Sequence, residues 1–432
     1  MITARAFAGK HYAVYGLARS GLATVEALLA SGAKVTAWDG KEEARAKAPA
    51  GAEVADLDTA GLAQFDSLVV TPGLPLNRHS IAQRAREAGV EIIGDIELFA
   101  RARPELPPHK VVGITGTNGK STTTALIHHI LQTAGVPSEM GGNIGLPILA
   151  QDPLPDGGVY VLELSSYQID LTQSLDCDVA VLLNITPDPL DRYENFEAYA
   201  ASKVRLFQMQ WYGRSAIYRL SDTLEFGFGL TDNLETYFIE DIIDFREKPY
   251  LSERQKAWPA LQGPHNLYNA ASAERACEIL GLNEDQIEHG FRTYPGLPHR
   301  MERIRDRDGV LFVNDSKATN PTATAPALAA FEKIRWICGG QAKTDNLDVC
   351  APHFGHVRKA YTIGEAGELF ASLLSPHMAV AQCETLERAV GEAAAEAERG
   401  DTVLLSPACA SFDQFRDFEQ RGDEFRRLVE GL

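Results

Sequence analysis

A short loop in the first third of the chain carries the residue types that bind a phosphate. It reads Gly116-Thr117-Asn118-Gly119-Lys120-Ser121-Thr122. Glycines let backbone N–H groups turn toward an anion, the lysine supplies a mobile positive charge for β- and γ-phosphates, and the serine hydroxyl suits Mg²⁺. The complete phosphate-loop pattern has a further glycine six positions before the lysine, where this chain has Ile114. The shorter G-x-x-G-K-S pattern predicts a nucleoside-triphosphate site.

The segments on either side of this loop are the ones that such a site needs. Val111 to Ile114 is an apolar run rich in β-branched residues, which predicts a buried parallel strand. A helix-compatible segment, 125–132, follows the loop. The alternative, a glycine turn with a surface lysine, does not explain why strand, loop and helix come in this order.

An acidic residue further along the chain is predicted to belong to the same site. Val159 to Gln168 reads as an apolar strand interrupted by Glu163. A carboxylate inside a buried strand is costly unless it is paired or bound to a metal, so Glu163 is predicted to be a further Mg²⁺ position. The alternative is a half-exposed glutamate on an edge strand.

The N-terminal segment resembles a dinucleotide-binding unit. A strand from Tyr12, a turn from Gly16 to Gly21, a helix, and a second strand ending in Asp39 follow one another. Ala18 replaces the middle glycine, which makes the turn a weak signal for NAD or FAD but leaves an anion site open. Pro72-Gly73 closes a further strand at the end where such sheets bind ligands. A purely structural turn remains an alternative for either loop.

The last third of the chain places polar residues after three apolar strands. Asp315 and Lys317 follow the first of these strands, Lys343 comes after the second, and the segment 406–411 follows the third. Because the carboxyl ends of parallel strands meet at one edge of a sheet, these groups predict a second site. Between the two sites, Asn266 and Asn269 share a helix face, where amides can bind an adenine edge; a cap with an exposed amide is the alternative.

Composition limits the class of protein. A chain of 432 residues is expected to form two to four domains, with boundaries near residues 95–108 and 295–298 where prolines cluster. The net charge of −18 argues against a nucleic-acid partner. Six cysteines without a C-x-x-C pair indicate reduced thiols, and no run of membrane length or signal-peptide core is present, so we expect a cytoplasmic enzyme without a membrane span.

Motifs spread over the whole chain resemble the Mur ligase family, and within it the branch that adds D-glutamate. They are Gly116–Thr122, Gly142–Gly145, Glu163–Gln168, Asp191–Tyr193, His265-Asn266 with Asn269, Gly296–Arg300, Asn314–Asn320, Gly339-Gly340, Ser406–Ser411 and Phe418–Gly422. The resemblance implies an α/β fold of three domains. These are a Rossmann-like UDP-substrate domain (1–97), a central phosphate-loop ATP domain with a parallel sheet (98–295), and a Rossmann-like domain that binds the incoming amino acid (296–432).

The resemblance also implies roles for individual residues. The UDP part of the substrate is expected on Arg19, Ser20, Asp39, Thr71, Pro72, Gly73 and Asn143. ATP is expected on residues Gly116, Thr117, Asn118, Gly119, Lys120, Ser121 and Thr122, with Asn266 and Asn269 at the adenine and Arg300, Asp315 and Lys317 reaching the nucleotide. D-glutamate is expected on Thr319, Lys343, Ser411, Phe412 and Phe418.

The implied activity is an ATP-dependent ligase that joins D-glutamate to UDP-N-acetylmuramoyl-L-alanine through an acyl phosphate. The catalytic set would be Lys120, Glu163, Lys203, Asp315 and Lys317. One or two Mg²⁺ ions would be held by Ser121, Glu163 and Lys203, the last after carbamylation, and the protein would be a monomer. Pro189 stands where the family usually has a histidine in its metal loop. A ligase for another amino acid or a folate-like acceptor, or a binding paralogue with weakened catalysis, remain alternatives; a guanine-reading N-K-x-D element is missing where a GTPase would have one.

Overall fold

The computed structural model describes residues 1–186, 192–219, 234–239 and 250–432. Their contacts divide the chain into two compact units, Met1–Lys248 with Tyr268–Gly290, and Pro249–Leu267 with Phe291–Leu432. The first unit contains two largely parallel sheets and the second contains one. The predicted α/β class with three sheet-based domains is confirmed, whereas the boundaries near residues 97 and 295 stay predictions.

The first sheet is a parallel sheet of five short strands in the order β3-β2-β1-β4-β5. The strands are β1 His11–Tyr15, β2 Lys34–Trp38, β3 Glu53–Val54, β4 Ser67–Val70 and β5 Glu91–Ile93. The helices are α1 Arg19–Ala30, α2 Glu42–Arg45, α3 Ser80–Glu87 and α4 Asp95–Ala102. The strand order reverses between β1 and β4, and this is the place where parallel sheets bind ligands.

The second sheet is parallel, in the order β11-β10-β9-β6-β8-β7. Its strands are β6 His109–Thr115, β7 Ser138–Gly142, β8 Gly158–Glu163, β9 Val179–Leu182, β10 Ser215–Tyr218 and β11 Glu235–Phe238. Its helices are α5 Lys120–Thr133, α6 Ser166–Asp170 and α7 Phe196–Gln208. Strand β6 lies centrally between β8 and β9, so its carboxyl end points into the middle of the sheet's ligand-binding edge.

Helix α4 joins the first two sheets through buried contacts. Phe99 packs edge-on against Tyr160 of β8, with ring centroids 5.0 Å apart. Glu97 is buried, and its carboxylate accepts hydrogen bonds from the N–H groups of Gln173 (2.7 Å) and Ser174 (2.9 Å) and from the Ser174 hydroxyl (2.8 Å). One hydrophobic core therefore continues from the first sheet into the second.

The third sheet lies in the second unit, in the order β12-β13-β17-β14-β15-β16. Its strands are β12 Glu302–Arg307, β13 Val310–Asn314, β14 Ile334–Gly339, β15 Val357–Ile363, β16 Ala379–Glu384 and β17 Thr402–Leu405. The remaining helices are α8 Tyr250–Gln255, α9 Pro264–Ile279, α10 Glu284–Thr293, α11 Pro321–Ala330, α12 Gly367–Leu374, α13 Leu386–Glu396 and α14 Phe418–Glu430. Strand β12 pairs antiparallel to β13, an edge strand that the sequence pattern did not predict.

The prediction of a strand from Val159 to Gln168 is wrong in its second half. Strand β8 ends at Glu163, and α6 begins three residues later. The cause is a capping box, because the Ser165 hydroxyl accepts the Gln168 N–H (3.3 Å) and the Gln168 side chain accepts the Ser165 N–H (3.0 Å). Glu163 therefore stands at the end of its strand rather than inside it. Within the described ranges, no helix combines the length and the apolar character needed to cross a membrane.

Candidate active site

The loop after β6 has the backbone shape of a phosphate-binding loop. Gly116 and Gly119 adopt φ angles of 147° and 86°, in a region that L-residues with side chains avoid. Gly119 is the N-cap of α5 and makes no side-chain cap hydrogen bond, which suits the helix N-terminus for an anion. A Cβ atom on Gly119 would lie only 2.3 Å from Asn269 Oδ1. Both shape and space therefore require glycine at this position.

Lys120 lies over this phosphate loop, which we define as residues 116–122. Its Nζ donates hydrogen bonds to the carbonyl oxygens of Gly116 and Thr117, both at 2.8 Å. Ser121 is buried in the first turn of α5. The ammonium and the serine hydroxyl thus belong to one loop, as the sequence pattern predicts for phosphate and Mg²⁺ binding.

Asn184 frames the phosphate loop from the neighbouring strand, although its place in the sequence predicted no role for it. Its amide exchanges two hydrogen bonds with the backbone of Asn118, at 2.9 and 3.0 Å, and its carbonyl accepts the Thr117 N–H at 2.9 Å. The Tyr199 hydroxyl lies 3.1 Å from Thr117 Oγ1. A signal for Asn184 was present in the sequence, because it closely follows the buried strand β9, which pairs with β6.

Glu163 and Lys203 are both buried beside the loop, each about 2% exposed. Glu163 Oε1 accepts a hydrogen bond from Asn143 Nδ2 (3.2 Å), whereas its Oε2 has no hydrogen-bond partner in the described part of the chain. Lys203 Nζ donates to the Gly116 carbonyl (3.0 Å) and lies 4.6 Å from the centre of the Tyr199 ring. A buried carboxylate oxygen without a donor fits a Mg²⁺ ligand, and Glu163 with Ser121 offers the hard oxygen ligands that this ion prefers.

The turn after β1 packs directly against the end of β4. A Cβ on Gly16, whose φ is 98°, would lie 2.3 Å from Thr71 Oγ1. Asp39 accepts hydrogen bonds from the N–H groups of Leu17 (2.8 Å) and Lys41 (2.9 Å), so its carboxylate holds the turn in shape. Arg19 donates to the Gly145 carbonyl at 3.2 Å, which brings the turn beside the loop that contains Asn143. Ser20 occupies the first turn of α1.

Arg192 is a second residue for which the sequence predicted no separate role. Its guanidinium donates to three consecutive carbonyl oxygens, those of Pro72, Gly73 (2.5 Å) and Leu74 (3.3 Å). It also lies over the Tyr167 ring, 4.1 Å from its centre. The neighbouring Asp188, Pro189 and Asp191 lie outside the described residues.

In the second unit, Asp315 lies at the end of β13 and is 6% exposed. It accepts hydrogen bonds from the Met301 N–H (3.1 Å) and the Ser406 hydroxyl (2.7 Å). Burial raises the pKa of its carboxyl from 3.8 to about 7, against the smaller effect of these hydrogen bonds. Arg300 stands between His299 and Met301, both of which have positive φ angles. Lys317 Nζ lies 4.9 Å from the centre of the Phe418 ring.

The residues predicted for D-glutamate fall on loops at the carboxyl ends of β13, β14 and β17. These strands are neighbours in the order β13-β17-β14, so their carboxyl ends lie at one edge of the sheet, and the shared edge is what the sequence predicted. Gln341 and Ala410 exchange two backbone hydrogen bonds of 2.9 Å, which ties the loop of Lys343 to that of Ser411. Ser411 is buried and Phe412 is 67% exposed. Thr319 lies two residues before α11, next to the Lys317 carbonyl that its N–H binds at 2.9 Å.

A buried arginine supports these loops; it belongs to the Phe418–Gly422 motif, but no role of its own was predicted for it. Arg421 is 1% exposed and donates to the carbonyls of Ser316 (2.8 Å), Cys409 (3.1 Å) and Ala410 (3.2 Å). Burial lowers the pKa of its guanidinium to about 10. Arg421 therefore fixes the backbone that follows β17 relative to the loop that follows β13.

Asn266 and Asn269 are each 4% exposed, so the alternative of an exposed amide is wrong. Asn266 Nδ2 donates to the Gln262 carbonyl at 3.0 Å. Asn269 Oδ1 faces the Cα of Gly119 in the first unit, as the space around that glycine shows. The structure thus brings Asn269 to the phosphate loop; its assignment to the adenine stays a prediction.

Taken together, these features define a class: an α/β protein that binds a nucleotide on a phosphate loop, with a buried carboxylate at the adjoining strand end. Family models extend this to almost the whole chain. The Mur ligase MurD-like N-terminal domain matches residues 10–94, the Mur ligase middle domain matches 114–277, and the Mur ligase glutamate ligase domain matches 299–409. The chain belongs to the Mur ligase family.

Full-length relatives carry one name. The UDP-N-acetylmuramoylalanine–D-glutamate ligases of Novosphingobium aromaticivorans and Sphingopyxis alaskensis are 59% and 57% identical to this chain, over 100% of it and over 97% and 100% of their own lengths. The enzyme of the same name from Zymomonas mobilis is 52% identical over 100% of both chains.

Solved structures show the same fold at low identity. The UDP-N-acetylmuramate-alanine ligase MurC of Thermotoga maritima has a TM-score of 0.57 at 16% identity and covers 98% of this chain and 99% of its own. The MurF ligase of Thermotoga maritima, solved in complex with ADP, has a TM-score of 0.58 at 16% identity and covers 88% of this chain and 100% of its own.

Proposed function

We propose that this chain is an ATP-dependent ligase that forms an amide bond between UDP-N-acetylmuramoyl-L-alanine and D-glutamate in peptidoglycan synthesis. The observation that carries the proposal is the combination of full-length identity of 52–59% to ligases of that name with a G-x-x-G-K-S loop beside a buried carboxylate. The enzyme works in the cytoplasm and as a monomer; buried, unpaired cysteines are consistent with that compartment.

The reaction requires activation, because a carboxylate does not acylate an amine in water. The terminal phosphoryl group of ATP is transferred to an oxygen of the alanyl carboxylate, giving an acyl phosphate and ADP. The amine of D-glutamate then attacks the acyl carbon, loses a proton, and phosphate leaves as the C–O bond breaks. Lys120 and the N–H groups of the phosphate loop orient the phosphates and balance the charge of the group in transfer.

The residues around Glu163 would hold Mg²⁺ during this reaction, with Ser121 as a second ligand. When bound, the ion neutralises charge on the phosphate oxygens. Lys203 donates to the same Gly116 carbonyl as Lys120, so two ammonium groups share one acceptor. Carbamylation would exchange the ammonium of Lys203 for an anionic group, which suits a position next to the proposed metal site.

The two substrates would occupy the other two loop clusters. The UDP part would lie where Arg19, Ser20, Asp39, Thr71, Pro72, Gly73 and Asn143 converge. D-glutamate would bind through Thr319, Lys343 and Ser411, with Phe412 and Phe418 against its apolar part. We propose that Arg300, Asp315, Lys317, Asn266 and Asn269 would bind the nucleotide, the two asparagines at its base.

The test is phosphate release from ATP in the presence of Mg²⁺ and UDP-N-acetylmuramoyl-L-alanine, with and without D-glutamate. We expect release that depends on D-glutamate, and we expect Lys120→Ala to abolish it. L-glutamate, D-aspartate and diaminopimelate in place of D-glutamate distinguish the other amino-acid ligases. Release that persists in Lys120→Ala, or that occurs equally with another amino acid, would overturn the proposal. Comparison with Pro189→His shows whether the proline weakens turnover.

A further inference from the structure

The segment 71–74, which we call the UDP loop, is held from one side by Arg192. The guanidinium donates to the carbonyls of Pro72, Gly73 and Leu74, the last two at 2.5 and 3.3 Å. In a trans peptide the carbonyl and the following N–H point in opposite directions. The Leu74 N–H donates to the Thr71 carbonyl at 3.0 Å. The Gly73 N–H belongs to the same peptide as the Pro72 carbonyl, and because that carbonyl points toward Arg192, the N–H points away from it.

This arrangement prepares the loop for an anion. Carbonyl oxygens repel a phosphate, and the hydrogen bonds from Arg192 keep these three carbonyls on the side of the loop that faces the guanidinium. The N–H of Gly73 then faces the other side of the loop, which is where we place the diphosphate of the proposed UDP substrate. An anion bound there favours the same backbone orientation that Arg192 favours, so each stabilises the other.

Arg192 also contacts residues of the second sheet's segment of the first unit. The Tyr167 ring beneath the guanidinium stacks on the Tyr193 ring, with centroids 5.8 Å apart and planes 14° apart. The Tyr193 hydroxyl donates to Asp170 (2.8 Å) and lies 3.2 Å from the Ser202 hydroxyl oxygen. Burial raises the pKa of the Tyr193 hydroxyl, which keeps this donor protonated. Ser202 lies on α7.

Helix α7 carries the contacts on to the phosphate loop. Lys203, the residue after Ser202, donates to the Gly116 carbonyl at 3.0 Å. Tyr199, one turn earlier on the same helix, places its hydroxyl 3.1 Å from Thr117 Oγ1. The UDP loop and the phosphate loop are therefore connected through Arg192, the two stacked tyrosines and helix α7, all inside one compact unit.

We propose that Arg192 is a positioning residue that couples binding of the UDP substrate to binding of ATP. The inference rests on the proposed function, because it takes the UDP loop as the diphosphate site. Substrate on the UDP loop fixes the three carbonyls against Arg192, and Arg192 fixes the tyrosine pair against α7. Helix α7 then holds Lys203 and Tyr199 in the positions that shape the phosphate loop. By reciprocity, nucleotide favours the UDP-binding arrangement to the same degree.

The experiment measures the affinity of the Mg²⁺ complex of a non-hydrolysable ATP analogue by calorimetry, without and with saturating UDP-N-acetylmuramoyl-L-alanine. In the native chain we expect the substrate to tighten nucleotide binding about fivefold or more, the lower end of ordinary coupling between sites. In Arg192→Ala the ratio should fall to about one, because the substrate no longer acts on α7 through this side chain. Arg192→Lys keeps the charge but not the planar fork and should also lose most of the ratio.

Arg84 provides a matched control. It too donates to three backbone carbonyls of one loop, those of Leu57 (2.9 Å), Asp58 (2.6 Å) and Ala60. None of these three hydrogen bonds involves Tyr167. Arg84→Ala should keep the native coupling ratio even if it loosens its own loop.

A native ratio in Arg192→Ala, or an equal loss in Arg84→Ala, would overturn the proposal. The proposal would also be overturned if UDP-N-acetylmuramoyl-L-alanine did not change the nucleotide affinity of the native chain. If Arg192→Ala does not fold, Tyr167→Leu breaks the next contact and should lower the ratio alike, whereas Tyr167→Phe keeps the ring and should not. Failure of the proposed function is seen separately, as absence of D-glutamate-dependent phosphate release by the native chain.

Discussion

The substitution Gly119→Ala tests the geometry of the phosphate loop most directly. The residue adopts φ = 86°, and a left-handed conformation costs a residue with a Cβ about 1–2 kcal/mol relative to glycine. The added Cβ would also lie 2.3 Å from Asn269 Oδ1, so the asparagine side chain must move. Displacing this buried amide from its native position adds about 1 kcal/mol. We expect a total loss of about 2–3 kcal/mol in the free energy of unfolding.

Gly135, just after the other end of α5, separates the two contributions. Its φ is 80°, and a Cβ there meets nothing within 4 Å. Gly135→Ala should therefore show only the backbone cost of about 1–2 kcal/mol in urea denaturation. Nucleotide affinity should fall in Gly119→Ala and stay unchanged in Gly135→Ala, because only the first displaces a group at the phosphate loop.

The double variant Gly119→Ala/Asn269→Ala decides whether the contact with Asn269 is real. With the asparagine truncated, Leu183 Cδ1 at 3.2 Å still lies close to the added Cβ, so Gly119→Ala should cost little more than Gly135→Ala, and the two changes should be less than additive. Full additivity would refute the steric argument. An unfolding free energy of Gly119→Ala equal to the native value would refute the conformational one.

Three further predictions follow from buried groups. Glu163→Gln should lower the Mg²⁺-dependent rate of phosphate release by about 100-fold or more and remove the rise in Tm caused by Mg²⁺ with the ATP analogue. The control Glu139→Gln, at an exposed position of β7, should change neither quantity. A rate of phosphate release near the native value in Glu163→Gln would contradict the proposed role of Glu163. The pKa of Asp315 is raised to about 7 in the folded chain from an ordinary 3.8, so the folded state binds a proton between these pH values that the unfolded chain releases. The free energy of unfolding of the native chain should therefore fall, relative to that of Asp315→Asn, as the pH rises from about 4 to about 7. Unfolding free energies of the two chains that run parallel over this pH range would show that the carboxyl does not titrate this way. The cysteine thiols are all buried, and burial raises the pKa of Cys177 and Cys350 to about 12, so a thiol reagent should label the native chain at neutral pH only after denaturant is added; rapid labelling of the native protein would be incompatible with this packing.

Local sequence patterns predicted the loops that carry the chemistry. The order of strand, glycine loop and helix around Lys120 depends on residues that are adjacent in the chain, as do the strands before Asp315 and Ser406. Because parallel strands align their carboxyl ends, the order of the elements along the chain was enough to assign their loops to one edge of a sheet.

The roles of the residues that hold those loops could not be predicted in this way. Asn184, Arg192 and Arg421 act on backbone carbonyls or amides of segments that lie between about ten and more than a hundred residues away in the chain. A backbone acceptor leaves no residue type to search for in the sequence. The strand end at Glu163 was missed for another reason, since the capping box of Ser165 and Gln168 overrode a run of apolar residues.

Helix α4 has a consequence for anyone who recombines parts of this protein. Glu97 belongs to the first sheet's segment of the chain, yet its carboxylate binds Gln173 and Ser174, and Phe99 two residues later packs on Tyr160. A chimera cut after residue 97 would split this helix and pair a foreign carboxylate with native partners. A crossover within the proline-rich stretch 104–108 keeps the helix whole, and the new partner must still match the surface that α4 covers.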